Sequence, residues 1–110
     1  MTSVELIYLN DGCVLECRGH ANFAPHGQDI VCAGVSALCI ALLQRMQTLE
    51  AEGVAHLVKQ HVVDGELSME IVFSEERVSR MIAQSAVETA AAGFRALAEM
   101  YPNNVEFAEI

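Results

Sequence analysis

Two stretches of the chain alternate between apolar and polar residues on both sides of a short turn signal. The turn signals are Asp11-Gly12 and Asp64-Gly65, a residue pair that favours the tight turn of a two-residue β-hairpin. Alternation with a period of two places one set of side chains on each face of a strand. The predicted strands are Val4 to Asn10, Cys13 to Arg18, Val54 to Val63 and Glu66 to Phe73.

A long apolar segment follows the first hairpin and predicts a helix. It begins at Ile30, directly after Asp29, a residue type whose carboxylate caps helix N-termini. It extends to about Glu52 and ends before Gly53, because glycine is frequent just past a helix C-terminus. Its first half, Ile30 to Leu43, carries no charged side chain. We therefore expect the sheet, the second helix and a partner chain to cover this half on nearly all sides.

A second helix is predicted after the second hairpin, from about Ser74 to about Tyr101, where Pro102 ends it. Acidic residues in its first turn suit the positive end of the helix dipole. Both helices also carry small residues, which predicts that the two helices approach each other closely. The small residues are Ala33, Gly34, Ala37 and Ala41 in the first helix and Ala83, Ser85, Ala86, Ala90, Ala91, Ala92 and Gly93 in the second.

The last apolar stretch, Val105 to Ala108, predicts a further strand at an edge of the sheet. The resulting element order is ββα-ββα-β. This order predicts an α+β fold, a two-layer sandwich with two helices packed on a mostly antiparallel sheet. A chain of 110 residues corresponds to one domain, which we assign to residues 1–110.

Composition and charge indicate the cellular compartment and the class of partner that we expect for this domain. The N-terminus has no basic segment followed by an apolar one, so we expect a cytoplasmic protein whose four cysteines are free thiols. The uncharged run in the first helix is shorter than the roughly 20 residues that span a membrane, so no membrane is expected as a partner. The net charge of −9 disfavours nucleic acid and would attract a basic protein.

The residues around the start of the first helix indicate a reactive thiol. If Asp29 is the N-cap, Cys32 is the third helical residue, beside backbone amides that have no partner within the helix. The helix dipole and a neighbouring imidazole both favour the thiolate, which is the nucleophilic form of cysteine. His20 or His26, in the preceding loop, could supply that imidazole. These features favour a cysteine–histidine hydrolase in which amides of the helix end stabilise an oxyanion.

Four neighbouring residues have both a structural and a functional interpretation. Ser36 lies one turn beyond Cys32 and would hydrogen-bond either near the thiol or back to the carbonyl of Cys32. Asp29 would cap the helix and could also orient the imidazole as the third member of a triad. Gly19 and Gly27 border the loop and would serve either as hinges of a mobile loop or as ordinary turn residues.

Spacing argues against disulfides between cysteines that are close in the sequence. Cys13 and Cys17 would lie about 13 Å apart on a strand, and Cys32 and Cys39 about 10 Å apart on a helix. Both separations are too long for a disulfide. The cysteines and histidines interpreted as structural are Cys13, Cys17, Cys39, His56 and His61.

One segment of the chain resembles a known family. Gly19-His20-Ala21, then Gly27-Gln28-Asp29-Ile30-Val31-Cys32-Ala33, and then Ser36 resemble the ribosomal-processing cysteine proteases of bacteria, the Prp family. The spacing between the histidine and the cysteine fits that family, and over the whole chain the length and the order of elements agree with it.

This resemblance implies a small homodimeric cysteine endopeptidase. Cys32 would be the nucleophile and His20 its base, with Asp29 and Ser36 as supporting residues. The implied substrate is the N-terminal extension of large-subunit ribosomal protein twenty-seven. Such an extension belongs to a strongly basic protein, which would suit the acidic surface of this chain.

Two other interpretations remain open. The acidic surface would also suit a non-catalytic binding module for a basic ribosomal or assembly protein, and salt would weaken such binding. A metal-binding or thiol-redox protein would be built from Cys13, Cys17, His20 and Cys32. Strand spacing and the absence of a CxxC motif count against that third interpretation, so neither a metal nor a cofactor is expected.

Overall fold

Both predicted hairpins and both predicted helices are present in the structure, a computed structural model that describes residues 1–110. The element order is ββα-ββα-β, as predicted from the sequence. The strands are β1 Thr2–Leu9, β2 Gly12–Arg18, β3 Ala55–Val63, β4 Glu66–Phe73 and β5 Val105–Glu109. The helices are α1 Ile30–Ala51 and α2 Arg77–Met100.

The five strands form one sheet in the order β3-β4-β2-β1-β5. The pairs β1–β2, β2–β4 and β3–β4 are antiparallel, whereas β5 pairs with β1 in parallel. The last strand therefore lies at an edge, as predicted. The predicted α+β architecture is confirmed, and the parallel edge strand makes the mostly antiparallel sheet a mixed one.

The core lies between one face of the sheet and the inner faces of the helices. Alternation predicts that Leu67, Met69, Ile71 and Phe73 of β4 share a face, and all four are buried there. Helix α1 contributes the buried residues Val31, Val35, Cys39, Leu42, Leu43, Met46 and Leu49. Burial of these apolar side chains fixes α1, and with it the start of α1, against the strands.

The two helices meet at glycines, each of which faces a leucine of the other helix. A Cβ at Gly93 would lie 2.7 Å from Leu38 Cδ2, and a Cβ at Gly34 would lie 3.5 Å from Leu97. The predicted close approach is thus confirmed at these two positions. It is wrong for Ala33 and Ala37, which lie on the exposed side of α1, whereas Ala41 lines a groove between the helices with Ala86 and Ala90 of α2.

Within one chain, the sheet and α2 leave the outer face of α1 uncovered, and its cover by a partner chain stays a prediction. Ile30 is 64% exposed and Ile40 is 38% exposed. The core needs only one side of α1, so the apolar residues on its other side face solvent. By its length and a hydropathy of 1.6, α1 could also cross a membrane, a property that core helices of soluble proteins share.

Candidate active site

The start of α1 has the capping geometry that the sequence predicts. Asp29 is the N-cap, and its Oδ1 accepts a hydrogen bond of 2.9 Å from the backbone N–H of Cys32. The backbone carbonyl of Asp29 accepts from the N–H of Ala33 at 3.0 Å. Cys32 is therefore the third residue of the helix. Its own amide and that of Ala33 are both engaged, so neither is free to hold an oxyanion.

The second oxygen of the Asp29 carboxylate connects the preceding loop to the helix. Oδ2 accepts hydrogen bonds from the backbone N–H groups of Phe23 at 2.9 Å and Ala24 at 3.4 Å. The bond from Cys32, with those from Phe23 and Ala24, holds the pKa of Asp29 below its ordinary value. Backbone amides engage both oxygens, so Asp29 anchors the loop and does not orient an imidazole in this structure.

The loop that carries His20 is also attached to the far end of the chain. Asn104 Nδ2 donates a hydrogen bond of 3.0 Å to the carbonyl of Ala21, the residue directly after His20, and Ala21 is buried. Two residues later, the ring of Phe23 meets that of Tyr101 edge to face, with centroids 5.4 Å apart. Sequence reasoning missed both contacts, because they join positions that are about 80 residues apart along the chain.

The two glycines that border the loop differ in their surroundings. Both have positive φ, +88° at Gly19 and +86° at Gly27, a region that favours glycine. A Cβ at Gly19 would lie 2.6 Å from the carbonyl oxygen of Met1, whereas nothing lies within 4 Å of a Cβ at Gly27. Gly19 is thus required by close packing as well as by φ, and Gly27 by φ alone.

Cys32 and His20 line the same cavity, which has a volume of about 240 Å³ and lies at the start of α1. A neighbouring opening of about 500 Å³ shares both residues. His26 and Ser36 line both spaces as well. The structure therefore brings together every residue type that the sequence analysis selected for catalysis. The thiol of Cys32 and the imidazole of His20 are not joined by a hydrogen bond.

Two hydroxyl groups at this cavity lack hydrogen-bond partners. Ser36 does not donate back to the carbonyl of Cys32, unlike Thr48 and Thr89, which do bond back to the preceding turn. The interpretation in which Ser36 bonds back to the carbonyl of Cys32 is thus wrong, and its hydroxyl is free to bond elsewhere. Thr2 also lines the cavity, is 2% exposed, and its Oγ1 has no partner. Nothing in the sequence singled out Thr2.

The remaining cysteines occupy apolar surroundings, and all four thiols are free. Burial raises the pKa of Cys13 to about 11. Cys17 and Cys39 both line the cavity, and the interaction of their side chains lowers the pKa of Cys17 and raises that of Cys39. Cys17 lies on β2 and Cys39 on α1, so the spacing of cysteines within one element does not reveal this pair.

The two histidines interpreted as structural lie on β3, away from the cavity. His56 Nδ1 is 3.0 Å from Glu50 Oε2, and the same oxygen accepts from the N–H of Leu57. This contact joins the end of α1 to the start of β3. His61 is exposed. No group of three or more His, Cys, Asp or Glu side chains has the arrangement of a metal site.

Comparison with known proteins places this chain in a family. Residues 1–106 match the family described as "Cysteine protease Prp". The chain belongs to the Prp family. A segment of 23 residues is 74% identical to the ribosomal processing cysteine protease Prp of Bacillus subtilis (strain 168). That segment spans 21% of this chain and 20% of the length of the curated relative it matches.

Solved structures support the family fold over the whole chain. The essential ribosomal processing protease Prp from S. aureus, in complex with a covalently linked product peptide, superposes with a TM-score of 0.77 at 21% identity, covering 100% of both chains. SMU.848 from Streptococcus mutans superposes with a TM-score of 0.70 at 28% identity, covering 100% of this chain and 94% of that one. The arrangement of two helices on a five-stranded sheet is thus the Prp fold.

Proposed function

We propose that this Prp family member is a cysteine endopeptidase in which Cys32 is the nucleophile and His20 the general base. One observation carries the proposal. Cys32 is the third residue of a capped helix and lines one cavity with His20. The loop that carries His20 is bound to the helix cap Asp29 and to Asn104 near the end of the chain. Membership in a family of cysteine proteases supports this assignment.

The proposed chemistry follows the general course of thiol proteolysis. The imidazole of His20 takes the proton of the Cys32 thiol, and the thiolate attacks the carbonyl carbon of the scissile peptide bond. The resulting imidazolium gives its proton to the leaving amine, so that the C–N bond breaks and a thioester remains on Cys32. A water molecule, deprotonated by the imidazole, then hydrolyses the thioester and releases the new carboxyl terminus.

The oxyanion formed in both steps needs a donor that the structure leaves free. The amides of Cys32 and Ala33 are engaged by Asp29, so we assign this role to the hydroxyl of Ser36, one turn along the same cavity wall, together with the positive end of the α1 dipole. Asp29 would support catalysis by holding the loop against the helix.

His20 is preferred over His26 because its backbone is fixed. The residue after it, Ala21, is buried and accepts a hydrogen bond from Asn104. The N–H of the residue before it, Gly19, donates to the carbonyl of Gly65. A general base has to be positioned relative to its proton donor, so the histidine with the fixed backbone is the better candidate.

The proposed substrate is the N-terminal extension of a large-subunit ribosomal protein. The Bacillus subtilis relative is a ribosomal processing protease by name, and a second S. aureus Prp structure contains a substrate peptide. The cavity of this chain has apolar walls for side chains of such a peptide, including Val35, Val62 and Leu67. The net charge of −9 would attract the basic protein to which the extension is attached.

We further propose that the protein is a cytoplasmic homodimer. The exposed apolar side chains of α1 and α2 would form the contact between the subunits. They include Ile40, Val78, Met81 and Ile82. Light scattering coupled to size exclusion would report a mass of twice 11.9 kDa, and Met81→Glu with Ile82→Glu would return it to that of one chain.

Mass spectrometry of peptides from such N-terminal extensions tests the assignment. Wild type and His26→Ala should make one cut, Cys32→Ser none, and His20→Ala should be slower by about 10²–10⁴-fold. Equal cleavage by wild type and Cys32→Ser would exclude the proposed nucleophile. Salt-sensitive binding of the peptides without any cleavage would instead favour the non-catalytic acidic module.

A further inference from the structure

The turn between β3 and β4 touches the imidazole of His20. A Cβ built on Gly65 would lie 2.9 Å from His20 Nε2, 3.4 Å from Cε1 and 3.6 Å from Cδ2. Three ring atoms at these distances mean that the imidazole rests against the side of Gly65 where any other residue carries its side chain. In the sequence, Gly65 is visible only as part of the turn signal Asp64-Gly65.

A backbone hydrogen bond holds the same two segments together. The N–H of Gly19 donates to the carbonyl of Gly65 at 2.8 Å. This bond continues the antiparallel pairing of β2 with β4, which ends at Arg18 opposite Glu66. The residue before His20 is thus fixed relative to the turn, and the position of the imidazole depends on what the turn presents to it.

We propose that Gly65 is a positioning residue for the reaction. Because its Cα carries no side chain, the His20 imidazole can pack against it and lie at the cavity of Cys32. This inference rests on the proposed function of His20 as general base. A side chain at position 65 would have to move Nε2 from 2.9 Å to at least the 3.4 Å of an ordinary contact. Because misplacement of a catalytic group by about 1 Å costs up to about 100-fold in rate, the shift of about half that size here is expected to cost about tenfold.

Gly53 separates this contact from the backbone strain of a turn glycine. Gly53 and Gly65 have the same φ of +74°, but nothing lies within 4 Å of a Cβ at Gly53. Alanine at either position therefore meets the same unfavourable φ, whereas only alanine at position 65 meets an imidazole. Gly53 lies after α1, apart from the Cys32 cavity.

The experiment compares Gly65→Ala with Gly53→Ala in three measurements: urea unfolding, peptide cleavage, and NMR titration of the histidine Cε1–H signals. Similar losses of stability are expected from both variants. Gly65→Ala should lower kcat about tenfold with little change in KM, and Gly53→Ala should keep the wild-type kcat. The chemical shift of the His20 Cε1–H signal should change only in Gly65→Ala, with His61, which lies outside the cavity, as the internal reference.

A second pair of variants controls for loss of folding caused by backbone strain. Asparagine tolerates positive φ better than alanine but still carries a Cβ, so Gly65→Asn and Gly53→Asn repeat the comparison with less backbone strain. Folded position-65 variants with the kcat of their position-53 partners, or with an unshifted His20 signal, would overturn the inference. If His20→Ala cleaves like wild type, the proposed function of His20 fails, whereas the NMR comparison still reports on the contact with Gly65.

Discussion

The two helices begin in the same way, yet only one beginning lies at a candidate active site. The N-cap of α1 is Asp29 and that of α2 is Glu76, and each carboxylate accepts from the backbone N–H of the third helical residue. That residue is Cys32 in α1, at 2.9 Å, and Ser79 in α2, at 2.7 Å. A nucleophile-type side chain at a capped helix start therefore occurs twice in this chain.

The second carboxylate oxygen makes the difference between these two starts. Glu76 Oε1 accepts from Val78 of its own helix at 3.0 Å. Asp29 Oδ2 accepts from Phe23 and Ala24, which belong to the loop that carries His20. A helix start thus becomes a candidate site when its cap also binds the segment that brings a base, and the favourable helix dipole alone is not sufficient.

The largest effect on peptide cleavage is expected from the third residue of α1, with the third residue of α2 as its control. Cys32→Ala should reduce peptide cleavage by about 10⁴-fold or more, because no other group can form the acyl intermediate. Ser79→Ala should leave cleavage unchanged. Both variants should unfold cooperatively in urea. Cleavage rates measured by mass spectrometry test this pair, and a comparable loss in Ser79→Ala would mean that the start of α2 takes part in the reaction.

The second largest effect on peptide cleavage is expected at the N-cap residues of the two helices. Asp29→Asn keeps one oxygen to cap Cys32, since asparagine is as good an N-cap as aspartate, but its NH₂ group would face the amide donors of Phe23 and Ala24. We expect cleavage to fall about tenfold because the His20 loop is released.

Glu76→Gln is the matched control, because it disturbs only contacts within its own helix. Its cleavage rate should equal that of wild type. If Asp29→Asn also cleaves at the wild-type rate, the loop is held without Asp29, and the contrast between the two helix starts has no functional meaning.

The sequence predicts the fold well because the determining signals are local. Both turn signals, the alternation in β4 and the cap at Asp29 act within a few residues, and each is confirmed. The outer face of α1 is where the sequence alone does not determine the packing. A run without charge predicts cover on nearly all sides, but within one chain only one side of the helix meets the core, and apolar residues such as Ile40 are exposed.

The candidate site was predictable only in part, because several of its contacts are long-range. Cys32, Asp29 and His20 lie within one short segment, so their pattern is visible in the sequence. The contacts of His20 with Gly65 and of Ala21 with Asn104 depend on which strands and turns become neighbours. Strand order decides this, and neither turn chemistry nor alternation specifies strand order.

The two caps also predict how stability depends on acid. Hydrogen bonds from Cys32 to Asp29 and from Ser79 to Glu76 lower the pKa of each carboxyl in the folded state. The stabilisation is therefore complete above the unfolded-state pKa values of about 4 and is lost as pH falls through the lowered folded values.

Urea unfolding between pH 6 and pH 3, in steps of about half a unit, measures this loss. The double variant Asp29→Asn with Glu76→Gln should show a weaker decline than wild type over that range. An equally steep decline in the double variant would assign the acid sensitivity to other carboxyls, such as Glu109, whose pKa is lowered by Arg95.

The smallest expected effect on stability concerns the cavity beside the start of α1. Thr2 Oγ1 is the one buried side-chain oxygen or nitrogen without a hydrogen-bond partner, and Thr2 lines that cavity. Thr2→Val keeps the shape and removes the unsatisfied hydroxyl, so it should raise the free energy of unfolding by about 1 kcal/mol. Thr2→Ser keeps the hydroxyl and loses a methyl group, so it should lower the free energy of unfolding.

A loss of stability in Thr2→Val would mean that the hydroxyl is satisfied in solution, by water held in the cavity. The cavity at the start of α1 would then be hydrated before any peptide binds.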